Sequence, residues 1–459
     1  MSTAVGTGAE VPAELLDAIG ADAGDTGIDW ARTWLAEHGL PNPKAEAWRY
    51  TPLSDIERVL TSARPTGDAA ATTENPGAGT LDNSTLDESA PRYGAVRLVF
   101  VNGRYSEELS DSPADPELAA PLPPGVRVGP LSDLAGSRHG NASELLGRWA
   151  EPHPEGLGPD DGFRVLNALG HPDPAVVTVS PGVAVGSPVN IVHVRTAGSG
   201  EHVPLSQPLT LIDVGPGASC RVIETHVALG AGITNALTRI RVGVDAHLHH
   251  VRVQDDHRDA THVGDTVVEQ HRGAHLESIS VNLGAGSGRL GIDVALCGEH
   301  ATADLSGLAL LAGTQRLDTV LKVDHRVPDC TSSQNFRAIV DDRARSSFCG
   351  HVLVDHGAIG TNSAQSSRNL LLSRTAQADT RPWLEILADD VKCSHGATVG
   401  RLDDTALFYM RSRGIPHDRA ESMLIGAFAA QVVDDVDPPR LREALRGRVD
   451  ALEHGAQGT

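Results

Sequence analysis

From about residue 175 the chain reads as one short apolar segment after another. "AVVTVS", "VNIVHVRT", "LTLIDV", "CRVIETHVAL", "TRIRVGV", "LHHVRVQ", "DTVVEQ", "LESISVNL", "LGIDVAL", "DLSGLALL", "DTVLKVDH", "FRAIVD", "SFCGHVLVD", "RNLLLS" and "WLEILAD" follow in order, with Gly, Asp, Asn or Ser between them. Each segment has the length of a strand and is rich in branched apolar residues. No helical period interrupts the run before about residue 390. A sandwich or barrel and a β-solenoid both fit this pattern. So many strands exceed one ordinary sandwich, whereas stacked coils extend without limit, so length favours the solenoid. A low aromatic content, 3%, suits a narrow core of stacked Val, Ile, Leu and Ala. The pattern predicts a mainly β fold with helical regions at both ends.

Helical spacing marks the flanks. Leu15, Leu16 and Ile19, then Ile28, Ala31 and Leu35, recur at helix-like intervals near the start, and Leu145, Leu146 and Trp149 do so within 131–170. Between them, residues 62–92 are rich in Ala, Thr, Gly, Asp, Asn and Pro and read as a linker or loop. "AVRLVFVNGRYS" (95–106) reads as a strand, an Asn-Gly turn and a second strand. Near the end, Asp403 or Asp404 caps a helix that Gly414 closes, and Pro416 opens another with Leu424, Phe428 and Val432 on one stripe. A last helix carries Leu441, Leu445, Val449 and Leu452. The expected division is therefore 1–174, largely helical; 175–390, the solenoid; and 391–459, helical.

Composition narrows the function. The net charge of −22 argues against a nucleic-acid binder, which needs a basic patch. Only Lys44, Lys322 and Lys392 occur, none in a GxxxxGK[ST] loop, so no ATP site of that kind is expected. No apolar stretch approaches the roughly 18 residues of a membrane helix. The amino terminus lacks the basic start and apolar core of a signal peptide, so a cytoplasmic protein is expected. Cys220, Cys297, Cys330, Cys349 and Cys393 are widely spaced and form no CxxC pair, which fits reduced thiols.

Three motifs carry candidate chemistry. Gly286, Gly288 and Gly291 match GxGxxG, but a strand-like "IDVALCGE" follows where a dinucleotide site needs a helix, so an ordinary glycine turn is expected. His247, His249, His250, His257, His262, His271 and His275 crowd one stretch; His247 and His249 would share a strand face, either as ligands or as solvated polar residues. Cys393 and His395 stand two apart in "DDVKCSHGATVG", so an extended backbone would set thiol and imidazole side by side. Both suit iron, copper or zinc, yet two ligands do not complete a site; a buried thiol beside a satisfied histidine is the alternative.

The segment "LADDVKCSHGATVGRLDDTALFYMRSRGI" (387–415) resembles the C-terminal signature of the SufB/SufD family of iron–sulfur cluster assembly proteins. So do "SSQNFRAIVDDRARSSFCGHVLVDHGAIGTNSAQSSRNLLLSRTAQADTRPWLEI" before it, "FRVLNA" (163–168) and "LSQPLTLIDVGPGASCRVIETHV" (205–227). "KAEAWRYTPL" (44–53) is more similar to SufD-type than to SufB-type chains. At 358–365 this chain has "AIGTNSAQ" where family members often have "AQKTDAYQ".

The resemblance implies a right-handed parallel β-helix and a non-catalytic scaffold role beside a SufB-like subunit and a SufC-like ATPase. It implies a transient iron–sulfur cluster shared with the partner at His395, with Cys393 beside it. It also implies a docking surface for the ATPase around Phe408, Tyr409, Arg411, Arg413 and Gly414. Neither nucleic acid nor membrane is among the expected partners; homodimerisation of the isolated chain stays open, and no flavin is assigned. A SufB-type sulfur-accepting subunit and a β-helix polysaccharide-active enzyme are the rival readings; the missing signal peptide counts against the enzyme.

Overall fold

The computed structural model describes residues 9–23, 29–65, 74–75, 79–94, 96–111, 122–135, 157–198 and 202–455. Its strands alternate between two sheets. One holds Ala175–Val179, Leu209–Val214, Gly232–Val242, Ala260–Gln270, Ser287–Leu296, Arg316–His325, Arg345–Val354 and Gln377–Ile386, all parallel. The other holds Val189–Arg195, Ser219–Ala228, His247–Gln254, His275–Asn282, Thr302–Leu311, Thr331–Val340, Asn362–Leu371 and Lys392–Gly400, parallel again. Each strand pairs with the next but one in the chain, so the backbone winds as a β-solenoid of about 7 turns. Ser219, His247, His275, Thr302, Thr331, Asn362 and Lys392 stand in register, which sets each coil at 27 to 31 residues.

The residues between the apolar segments explain the coil. Gly217, Asp245, Gly273, His300, Asp329, Gly360 and Asp390 occupy the same corner of successive coils, and all have positive φ. Glycine adopts that left-handed conformation freely and Asp tolerates it better than most residues, so these positions turn the chain where a branched residue would not.

Side chains alternate across each strand and thereby fill two cores. Inward residues such as Val222, Leu248 and Leu276 meet Ile240, Val268, Ile292 and Leu321 of the opposite sheet. Outward Ile223, Val251, Ile279 and Ile339 are covered by Ile425, Ala429 and Val432 of the helix His417–Val433 and by Leu441, Leu445 and Val449 of Pro439–Gly455. On the first sheet's outer face, helices Ala13–Ala23, Asp29–His38, Leu53–Thr61 and Gly162–Gly170 pack over Leu205, Ile233 and Val263. Leu424 and Phe428, expected on the buried stripe with Val432, are only half-buried, because Ile425 and Ala429 meet the sheet instead.

Other differences from the expectation are local. The stretch 62–92 contains the strand Ala63–Pro65, paired with Val203–Ser206, and the helix Asn83–Ser89, capped by the Asp82 side chain on the Thr85 amide. Lys392–Gly400 is still a solenoid strand, although it falls inside 391–459, the range expected to be helical. The Asn-Gly turn is found: Val96–Val101 and Arg104–Tyr105 are antiparallel, with Asn102 and Gly103 both at positive φ. Ile28, Leu145, Leu146 and Trp149 lie outside the described residues.

Candidate functional site at the open end of the solenoid

Cys393 and His395 lie on Lys392–Gly400, the last strand of its sheet, which among the described residues pairs only with Asn362–Leu371. The other sheet ends at Gln377–Ile386. Both final strands are therefore edges, and Trp383, Ile386, Leu387 and Val399 stand exposed around them. The Lys392 amide donates to the Thr361 carbonyl. In a parallel ladder alternate residues bond to alternate sides, so the amides of Cys393, His395 and Ala397 face the free edge.

Register fixes where the pair points. Cys393 packs against the solenoid core, so it faces inward, and His395 two residues on shares that face. Below Cys393 stand Ser363 and Ser332; below His395 stand Gln365 and Gln334. Ser332 Oγ lies 2.9 Å from Ser363 Oγ, accepts from Gln334 Nε2 at 2.8 Å and meets His325 Nε2 at 2.8 Å. The amide oxygen and nitrogen of Gln365 are buried without a partner among the described residues, as is the amide oxygen of Gln334. The thiol–imidazole pair thus sits at the mouth of a polar interior row. Burial pushes the Cys393 thiol above its ordinary range, partly offset by the Ser363 backbone. Burial likewise raises Cys220, to about 12, and Cys297, Cys330 and Cys349. None of the five is held as a thiolate by its own surroundings, which is what an activated sulfur nucleophile needs. Asp389 and Asp390 are exposed in the preceding turn, and neither hydrogen bonds His395 among the described residues.

Deeper in the solenoid the inward row becomes ionic. Cys220 and Val222 are followed inward by Glu224 and His226. Glu224 accepts from Thr210 Oγ1 at 2.7 Å and Thr238 Oγ1 at 2.8 Å, and lies 3.3 Å from His250 Nε2 and 3.3 Å from His226 Nε2. Burial works to raise this carboxyl, but His226 and His250 outweigh it and hold the group well below the usual range. Burial in turn lowers His226 to about 4 and His193 to about 3. Asp256 pairs with His262 Nδ1 at 2.7 Å, and Arg252 reaches His262 Nε2 at 2.6 Å. The sequence signal for this cluster was present, since "CRVIETHV" keeps strand alternation while its inward positions turn from apolar to ionic.

The C-terminal surface residues gather on one short helix. Asp403 caps Asp404–Ser412 by accepting from the Thr405 amide. Phe408 is 73% exposed and Tyr409 58%, and Arg411, Arg413 and Gly414 are exposed beside them. Arg413 donates to the Tyr409 hydroxyl at 2.8 Å and its guanidinium lies 4.9 Å from that ring. Leu407 alone of this helix is buried. Gly286 lies in a turn and Ser287–Leu296 is a strand, so the GxGxxG match is no helix entry. Of the seven histidines, His250 and His262 face inward, whereas His247, His257 and His271 reach the surface.

Fold and site define a β-solenoid protein that presents a thiol–imidazole pair at an unpaired sheet end. Residues 195–428 match the SufBD core domain of SUF-system FeS cluster assembly. The chain is 31% identical to the iron–sulfur cluster assembly protein SufD of Escherichia coli, over 90% of each chain. It is 30% identical to an iron–sulfur cluster assembly SufBD family protein of Synechocystis, over 89% of this chain and 86% of that one. It is 28% identical to the chloroplastic protein ABCI7 of Arabidopsis thaliana, over 90% and 82%. The chain belongs to the SufBD family of the SUF iron–sulfur cluster assembly system. No helix among the described residues is long and apolar enough to cross a membrane.

Proposed function

We propose that this chain is a SufD-type, non-catalytic scaffold of a cytoplasmic SUF assembly complex. Its open end pairs with a SufB-like subunit, and a nascent iron–sulfur cluster, the cargo of the complex, forms against His395 and Cys393 with the remaining ligands supplied by the partner. The helix Asp404–Ser412 offers Phe408, Tyr409, Arg411, Arg413 and the Gly414 turn to a SufC-like ATPase, which supplies the nucleotide chemistry that this chain's three lysines do not. The free edge Lys392–Gly400 carries the reading: an unpaired strand with exposed apolar side chains is a template for another chain. Two ligands at a free edge also call for a second donor set. A second copy of the chain can occupy the same edge when no SufB-like subunit is present.

Co-expression with the SufB-like and SufC-like subunits from the same source tests this. Val399 is 46% exposed on the edge, so Val399→Lys leaves the isolated chain's melting temperature unchanged. The same substitution should remove most of the copurified SufB-like subunit. Undiminished copurification would place the interface elsewhere.

A further inference from the structure

The outer face of the solenoid carries a second constellation that cluster assembly at the open end does not use. His247 and His249 point outward from one strand, and His275 and Glu277 stand in register with them on the next coil. Asp304 follows Glu277 on the coil after that. The 28-residue step from His247 to His275 and from His249 to Glu277 is one coil, so the winding itself brings these side chains together. The imidazoles of His247 and His275 stack with centroids 4.6 Å apart and planes 4° from parallel. Glu277 Oε1 lies 3.8 Å from His247 Nε2 and 3.9 Å from His275 Nε2, and one donor atom from each of the three falls within 4.8 Å of the others.

We infer that His247, His275 and Glu277 form a binding site for a first-row divalent metal ion on the flank of the solenoid. Two imidazoles and one carboxylate are a donor set that such ions favour. These ions hold nitrogen and oxygen donors at about 2.0–2.2 Å, which sets the donors about 3–3.5 Å apart. The three donors lie within 4.8 Å of one another, so the exposed His247 and half-exposed His275 rings rotate out of their stack to converge on one ion. The surroundings prepare the ligands. His249 Nδ1 lies 2.9 Å from the other Glu277 oxygen and fixes the carboxylate, the kind of supporting contact that orients metal ligands. Asp304 Oδ2 lies 3.1 Å from His275 Nε2 and is a nearby fourth donor. A cavity of about 530 Å³ opens beside the group, lined among others by Arg221, Gly186 and Asp437, with room for waters on the open coordination positions. The inference stands apart from the role of the open end.

Titration of the tag-free full chain with Zn²⁺ alone tests it, in a background carrying Cys393→Ser and His395→Ala so that the edge pair contributes nothing. One equivalent of saturable binding is expected. His247→Ala with His275→Ala should weaken it at least roughly tenfold, and Glu277→Gln should do the same. His257→Ala, at an exposed histidine outside the group, should leave it unchanged. Co²⁺ added to the same background chain, with the flank intact, should develop the visible bands of nitrogen and oxygen ligation. This readout stands whether or not the flank variants fold. Absence of saturable Zn²⁺ binding, absence of those Co²⁺ bands, or binding indifferent to the flank substitutions would each overturn the inference.

Discussion

Glu224 shows how much a single inward position can change. It is fully buried, yet the hydroxyls of Thr210 and Thr238 and the His250 imidazole satisfy it inside a core that is apolar one residue pair earlier. Its imidazole neighbours give stability a definite pH dependence. His226, near 4 in the fold, and His193, near 3, titrate around 6.5 when unfolded. Between those values the unfolded chain binds more protons, so stability falls as pH falls below about 6.5. Glu224, depressed in the fold, adds loss in the same direction once pH drops below the ordinary carboxylate value near 4.5. The melting temperature should therefore decline steadily from pH 7 to pH 5, and His226→Gln should flatten part of that slope. A flat profile over this range would mean that the histidines are not buried as neutral rings.

Among the elements, the strands were legible because alternation and turn residues act locally. "VNIVHVRT" or "LESISVNL" needs no distant partner to declare itself, and Asp245, Gly273 and Asp329 mark corners by their own backbone preference. Asn83–Ser89 was missed because its seven residues sit in a polar, alanine-rich stretch without a long apolar stripe. Lys392–Gly400 was placed beyond the solenoid because an edge strand has lost its apolar alternation; only pairing with Asn362–Leu371, some 30 residues earlier, identifies it. The inward direction of Cys393 and His395, and the meeting of His247 with Glu277, depend on that same inter-coil register. The Asp404–Ser412 helix was legible from its cap and closing glycine. Its exposed face yields a prediction: Phe408→Ala with Arg411→Ala should lower affinity for the SufC-like ATPase at least roughly tenfold, since exposed aromatic and Arg anchors dominate such contacts. The melting temperature should not move. Removal of everything after residue 402 is a poorer test, because it uncovers Ile223, Val251, Ile279 and Ile339 as well. Unaltered ATPase binding would free this helix from that role.

The whole molecule is a rod of coils covered along both flanks by helices and left open where the chain's last two strands run. Stacked coils bury all but their terminal edges, so such proteins end either in a cap or in a partner. Here the helices His417–Val433 and Pro439–Gly455 turn back along the outer face rather than across the end, and Val399, Trp383 and Ile386 remain in solvent. His395 is exposed at that end and supports no packing, so its removal separates chemistry from stability. The most direct measurement is iron and acid-labile sulfide per complex, after anaerobic cluster assembly by the co-expressed subunits, for the unaltered chain and for His395→Ala. The account predicts an intact complex with the same melting temperature and cluster content at least roughly tenfold lower, because a ligand rather than packing is lost. An assembled complex carrying His395→Ala with undiminished iron and sulfide would contradict it.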